Sequence, residues 1–126
     1  MRKKNYIFIV SGKAYAPRSS HVASYKDKVK QIVCQHISSP LSGNIDLRLE
    51  YVFRESKNRL DQDNLSKTYC DALEGVAYTD DNQVHHSEVT LYNMNSSFKI
   101  TGVPLTEEII DCFNQEAFTI VRLKVI

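Results

Sequence analysis

The sequence predicts a small α+β domain of two layers, with helices packed on a mixed sheet. Three observations lead there. Residues 6–10, 45–53 and 84–92 carry the apolar runs or period-two alternation of strands. Residues 25–37 and 63–74 carry apolar side chains at helical spacing. The two kinds of segment alternate as β-α-β-α-β with an α-β tail, the pattern of a helix-on-sheet layer fold.

Each element has its own reason. Tyr6, Ile7, Phe8, Ile9 and Val10 form a β-branched and aromatic run, read as a first strand. The Gly-, Pro- and Ser-containing stretch 11–20 reads as a loop and carries Lys13 and Arg18. Ser24 is the expected cap of a helix beginning near Tyr25, with Tyr25, Val29, Ile32 and Val33 on its apolar face. Residues 38–44 end it. Ile45, Leu47, Leu49, Tyr51 and Phe53 then alternate with mostly polar residues, so one face of that strand is buried. Residues 55–61 read as a polar loop. The helix over 63–74 shows Leu65, Tyr69, Ala72 and Leu73 on one side, and Gly75 ends it. Residues 78–82 read as a turn, and 98–103 as an extension or partner of the strand over 84–92. Thr106 is expected to cap a short helix over 106–114, and 117–126 is strand-like.

The chain of 126 residues suits one domain, 1–126, with a core of its own. Its hydrophobic share of 42% and charged share of 25% are those of an ordinary globular protein. Cys34, Cys70 and Cys112 are widely spaced, which argues against a zinc site or a disulfide framework and fits a reducing compartment. The basic start with its five apolar residues is too short for a secretory signal, and no run approaches a membrane span. A cytoplasmic protein without membrane partners is expected. The formal net charge is +1, yet residues 1–67 hold thirteen Lys/Arg against six Asp/Glu and residues 68–126 hold three against nine. Such asymmetry suits a polyanionic partner on the basic half, although charges from both halves can equally mix on one folded surface.

The chemistry-bearing stretch is Asp61-Gln62-Asp63-Asn64-Leu65-Ser66-Lys67, followed by Asp71-Ala72-Leu73 and by Asp80-Asp81-Asn82. Asp61 and Asp63 stand at a loop-to-helix junction, where residues two apart point the same way. Asn64, Lys67 and Asp71 share the helical face opposite the apolar one. The helix returns the chain towards the sheet, so Asp80 and Asp81 are expected to reach the same pocket. Carboxylates so clustered repel unless a cation sits among them. Magnesium favours oxygen ligands of this kind and can drive phosphodiester hydrolysis, with Lys67 placed to contact the phosphate. Taken singly, each residue has an ordinary reading: a helix cap, a turn, a solvated lysine. A calcium EF-hand fits poorly, because the central glycine and closing glutamate are missing.

At these residues the chain resembles the RusA family of Holliday-junction resolvases. The hallmark Asp-x-Asp-Asn-x-x-Lys, then Asp-Ala-Leu, then an Asp-Asp pair stands here at 61–67, 71–73 and 80–81. The likeness is densest over 59–84, looser over Phe8 to Lys13 and the helix after it, and absent after about Phe98. The resemblance implies a homodimer that resolves four-way DNA junctions by paired nicks with magnesium (or manganese), in recombination and repair, in bacteria or phage. It implies Asp61, Asp63 and Asp81 as metal ligands, Asp80 as an adjacent acid and Lys67 as the catalytic lysine. A net charge near neutrality departs from what a junction-gripping nuclease needs. The basic half offers Arg2, Lys3, Lys4, Lys13, Arg18, Arg54, Lys57 and Arg59 for DNA, with Lys57 and Arg59 best placed. Two alternatives stay open: a non-catalytic junction-binding protein and a metal-dependent nucleotide phosphohydrolase.

Overall fold

The computed structural model describes residues 5–103 and 106–126. The expected candidates Arg2, Lys3 and Lys4 lie outside the described residues. The elements run β1 (Asn5–Ser11), α1 (Val22–His36), β2 (Ile45–Phe53), α2 (Gln62–Leu73), β3 (Val84–Asn93), α3 (Glu107–Cys112) and β4 (Ala117–Val125), with short 3-10 turns at Ser56–Asn58 and Asp81–Gln83. The four strands form one mixed sheet in the order β1-β4-β2-β3. β4 runs antiparallel to both of its neighbours, while β2 and β3 are parallel. The expected α+β architecture is therefore the observed one.

Alternation explains the layering. On β2, Ile45, Leu47, Leu49, Tyr51 and Phe53 all point into a core completed by Phe8 and Val10 of β1 and Val121 and Leu123 of β4. α1 and α2 close that core from above with Tyr25, Val29 and Val33 and with Leu65, Tyr69, Ala72 and Leu73. Full burial of a side chain such as Leu65 stabilises the fold by about 1.5–3 kcal/mol. The helices are also joined by hydroxyls: Tyr25 Oη lies 2.5 Å from Tyr69 Oη and 3.4 Å from Thr119 Oγ1 of β4. Burial pushes the Tyr25 phenol up to about 12, so it stays a neutral donor within this network.

The opposite face of the sheet carries a second, smaller core. Val52, Phe118 and Ile120 pack there with Ile109 and Cys112 of α3, and Phe98, Ile100 and Phe113 lean on them. This explains why Val52 is buried although it sits out of phase with its strand. The rest of that face is charged: Asp46 and Glu88 flank Arg48, and Arg122 donates to Glu50. Burial works against the Asp46 carboxylate, but hydrogen bonds from His86 and Arg48 and the arginine charge hold its pKa below the usual value.

Two expectations are corrected. α1 begins at Val22 with His21 as its cap, because the Ser24 hydroxyl turns back to donate to the His21 carbonyl at 3.0 Å. Residues 98–103 are irregular rather than a strand. Their alternating apolar side chains are satisfied by packing on the second core without a ladder. Thr106 does cap α3, accepting from the Ile109 amide at 3.4 Å. Among the described residues, no helix is long and apolar enough to cross a membrane.

Candidate metal and DNA site

The site is built along α2. Its N-cap is Asp61, and Asp63 stands in its first turn. Both carboxylates therefore sit at the positive end of the helix dipole, which favours negative charge. Asp61 and Asp63 line one shallow depression of about 360 Å³ together with Arg59, Gln62 and Asn64. Arg59 donates to Asp61 at 3.1 Å, and both side chains are largely exposed, at 53% and 75%. The depression is anchored to the sheet by Gln62, whose amide donates to the Val89 carbonyl at 3.0 Å.

The loop leading into the depression is fixed from below. The buried Tyr51 hydroxyl donates to the Asn58 carbonyl at 2.8 Å and accepts from the Ala14 amide at 3.3 Å. One phenol therefore ties the segment before α2 to the loop after β1. Burial pushes that phenol far above its ordinary value, which keeps its proton in place for the bond to Asn58.

Asp80 and Asp81 lie elsewhere. Asp80 caps the short turn Asp81–Gln83 in a reciprocal capping box with Gln83, accepting from the Asn82 amide at 2.8 Å. Asp81 stands beside Glu74, the C-cap residue of α2: its charge is the first cause that raises the Glu74 pKa, ahead of burial and of Asp80 and Asp71. With α2 12 residues long, about 18 Å separates its two ends. One chain thus brings Asp61 and Asp63 together and holds Asp80 and Asp81 at the far end of the same helix, with Asp71 and Glu74. Among the described residues, no three His, Cys, Asp or Glu side chains gather closely enough to hold a metal ion. The reason is in the connection 74–83. The Leu41 amide donates to the Ala77 carbonyl at 2.8 Å, and the Gln83 side chain donates to the Leu41 and Gly43 carbonyls. Those bonds hold the segment beside the start of β2 and away from the N-terminal end of α2.

Lys67 lies between the two ends, exposed on the same face as Asn64 and Asp71. Of the other basic candidates, Lys57 pairs with Glu55 at 3.4 Å, Lys13 hangs over the Tyr15 ring, Arg18 is exposed, and Arg54 donates to the Phe113 carbonyl. Arg59 lines the depression, and Lys57 stands two residues before it in the chain.

A model of the family described as endodeoxyribonuclease RusA matches residues 2–101. The chain belongs to the RusA family. The match takes in β1, α1, β2, α2 and β3, and with them Asp61, Asp63, Lys67, Asp80 and Asp81. α3 and β4 lie beyond it, although β4 occupies the middle of the sheet. A search among curated proteins matches none of them. RusA membership marks the chain as an endodeoxyribonuclease and agrees with the resemblance read at residues 61–81.

Two features escaped sequence reasoning. Glu74 belongs to the acidic group at the end of α2, and its spacing of three from Asp71 was the available signal. The tie made by Tyr51 had no signal beyond strand alternation, because its partners are distant in sequence.

Proposed function

We propose that this RusA-family chain is a magnesium-dependent, structure-selective endonuclease that resolves four-way DNA junctions by paired nicks, in recombination and repair. The observation that carries the reading is the exposed depression where Asp61 and Asp63 stand side by side at a helix N-terminus next to Arg59. The donor set fits the ion. Magnesium takes hard oxygen ligands, and one or two carboxylates suffice when water and substrate phosphates complete the shell. Asp61 and Asp63 would hold it, and its chemistry there is polarisation of a phosphoryl oxygen and acidification of bound water. Manganese, with similar oxygen preference, is the expected substitute.

The chain's own residues do the rest. Arg59 and Lys57 neutralise phosphates flanking the cut, and Lys13 and Arg18 extend that contact. Lys67, one helical turn beyond Asp63, brings positive charge to the phosphate as its own negative charge develops. Asp81 and Asp80 complete the site from a second protomer, since α2 keeps them from the Asp61–Asp63 pair of their own chain. A two-fold homodimer then holds two such sites, matching the two symmetric cuts that a junction requires.

The test compares a synthetic four-way junction with linear duplex and with mononucleotides, with and without magnesium or manganese, for the wild type and Asp63→Asn. Wild type should nick the junction only with metal, and Asp63→Asn should bind it yet cut at least about 100-fold more slowly, the scale of losing one charge-stabilising group. Binding without cutting by either protein selects a junction binder. Hydrolysis of mononucleotides in preference to the junction selects a phosphohydrolase.

A further inference from the structure

The loop after β1 presents an aromatic group that the metal chemistry leaves unused. Tyr15 is half-buried, and its ring meets Tyr25 edge-on at 5.9 Å and 71°. Two side chains from outside the core lie beside it. Lys13 Nζ lies 5.4 Å from the ring centroid, and the imidazole of exposed His21 lies at 5.2 Å, tilted by 43°. At that tilt the two rings are not closed on each other as a parallel stack would be. The backbone beneath them is fixed. The Tyr15 carbonyl accepts from Thr68 Oγ1 of α2 at 2.8 Å, the Ala14 amide donates to Tyr51, and the Gly12 amide donates to the Ala117 carbonyl at 2.9 Å. Gly12 itself has φ +89°, a conformation that a side chain there would strain.

The loop has a definite relation to the depression. Thr68, which holds the Tyr15 carbonyl, stands in the middle of α2, five residues and about 8 Å along the axis beyond Asp63. Tyr51 reaches both segments at once, through Ala14 and through Asn58. The Tyr15 loop is thus tied to the chain on both sides of the depression, to Asn58 before it and to Thr68 after it.

We propose that Tyr15, framed by Lys13 and His21, is a stacking platform for an unpaired nucleobase of branched DNA. The proposal rests on the nuclease reading for its substrate and adds the group that distinguishes a branch point from plain duplex. A base offers an aromatic face whatever its identity, so stacking selects unpaired structure without reading sequence. In duplex every base is already stacked, and the ring has nothing to receive. A nearby ammonium adds attraction for both the base face and the phosphate. Because the loop is pinned before DNA arrives, little ordering is needed on binding.

The experiment uses four-way junctions carrying 2-aminopurine at the crossover or within an arm, in EDTA. Wild type should change the emission of the crossover base alone. Tyr15→Ala should bind the junction about tenfold more weakly, with linear duplex affinity unchanged, and lose the emission change. Tyr15→Phe should keep both, since it retains the aromatic face. In parallel, 5-iododeoxyuridine at the crossover should crosslink wild-type protein within the peptide containing Tyr15, a readout independent of any variant's folding. Equal weakening towards junction and duplex, loss by Tyr15→Phe as great as by Tyr15→Ala, or crosslinks that avoid Tyr15 would each overturn the platform. A wild type that binds and crosslinks but never cuts with metal would remove the nuclease reading and leave the platform standing.

Discussion

The two ends of α2 carry the same kind of side chain in opposite electrostatic settings. At the N-terminal end, Asp61 and Asp63 meet the positive pole of the helix, and Arg59 lies 3.1 Å from Asp61. At the C-terminal end, Asp71, Glu74, Asp80 and Asp81 meet the negative pole. Among the described residues no basic side chain forms a salt bridge with any of these four. Repulsion from Asp81 raises the Glu74 pKa. At the first end Arg59 compensates Asp61 within its own chain, and at the other none of the four acids has such a partner among the described residues. An uncompensated acidic group on a surface is stabilised by whatever cation approaches it, so the far end of α2 is prepared for a charge that its own chain does not supply. That is the physical case for joining it to the Asp61–Asp63 depression of a second protomer.

The largest effect should come from breaking this arrangement chain by chain. Asp63→Asn and Asp81→Asn should each lose cutting by at least about 100-fold. When the two inactive proteins are unfolded together and refolded as a mixture, activity should return to at most about a quarter of wild type. Half of the dimers are then mixed, and each mixed dimer holds one intact site. If both acids served a site within one chain, every mixed dimer would carry two damaged sites and no activity would return.

The helix that separates the ends should respond next. Leu65 is fully buried under α2, so Leu65→Ala should destabilise the fold by about 2–5 kcal/mol, read as a lower Tm and denaturant midpoint. Both ends depend on the same packed face. Spared activity at a temperature where the variant stays folded would show that the spacing, rather than the depth of packing, is what the site needs.

A smaller effect isolates the compensated end. Arg59→Gln removes the partner of Asp61 and one phosphate contact. Junction affinity should fall modestly, and the slope of its logarithm against that of salt concentration should shrink by about one. An unchanged slope would mean that Arg59 serves Asp61 alone.

Much of this could be read in the sequence, and the limits have physical causes. Period-two alternation placed β2 within its observed bounds, because one face of that strand is buried along its whole length. The start of α1 was misplaced since Ser24 serves as a donor inside the helix rather than as its cap. Residues 98–103 alternate like a strand but spend that pattern on packing against Phe113 and Phe118. The motif at 61–67 was legible as a RusA signature, since residue types and spacing are local facts. Where Asp81 sits was not, because it is decided by bonds from Leu41 and Gln83 across the chain, which hold residues 74–83 beside the start of β2. The length of α2 carried the available signal: twelve helical residues hold their two ends too far apart to share an ion.

The finest test concerns the uncompensated end alone. Glu74 keeps its proton to higher pH in the folded chain than in the unfolded one, where its ordinary value is 4.5. Its contribution to stability is therefore complete below that value and is lost as pH rises through the raised folded pKa. Glu74→Gln imitates the protonated form, so it should leave Tm unchanged in acid and raise it slightly at neutral pH. Because Glu74 is exposed, the gain should shrink as salt screens the repulsion from Asp81. Magnesium should shrink it too, by meeting the same negative charge in the wild type. A gain that persists below pH 4.5 would trace it to something other than charge, and one indifferent to magnesium would mean that this end of α2 receives no cation.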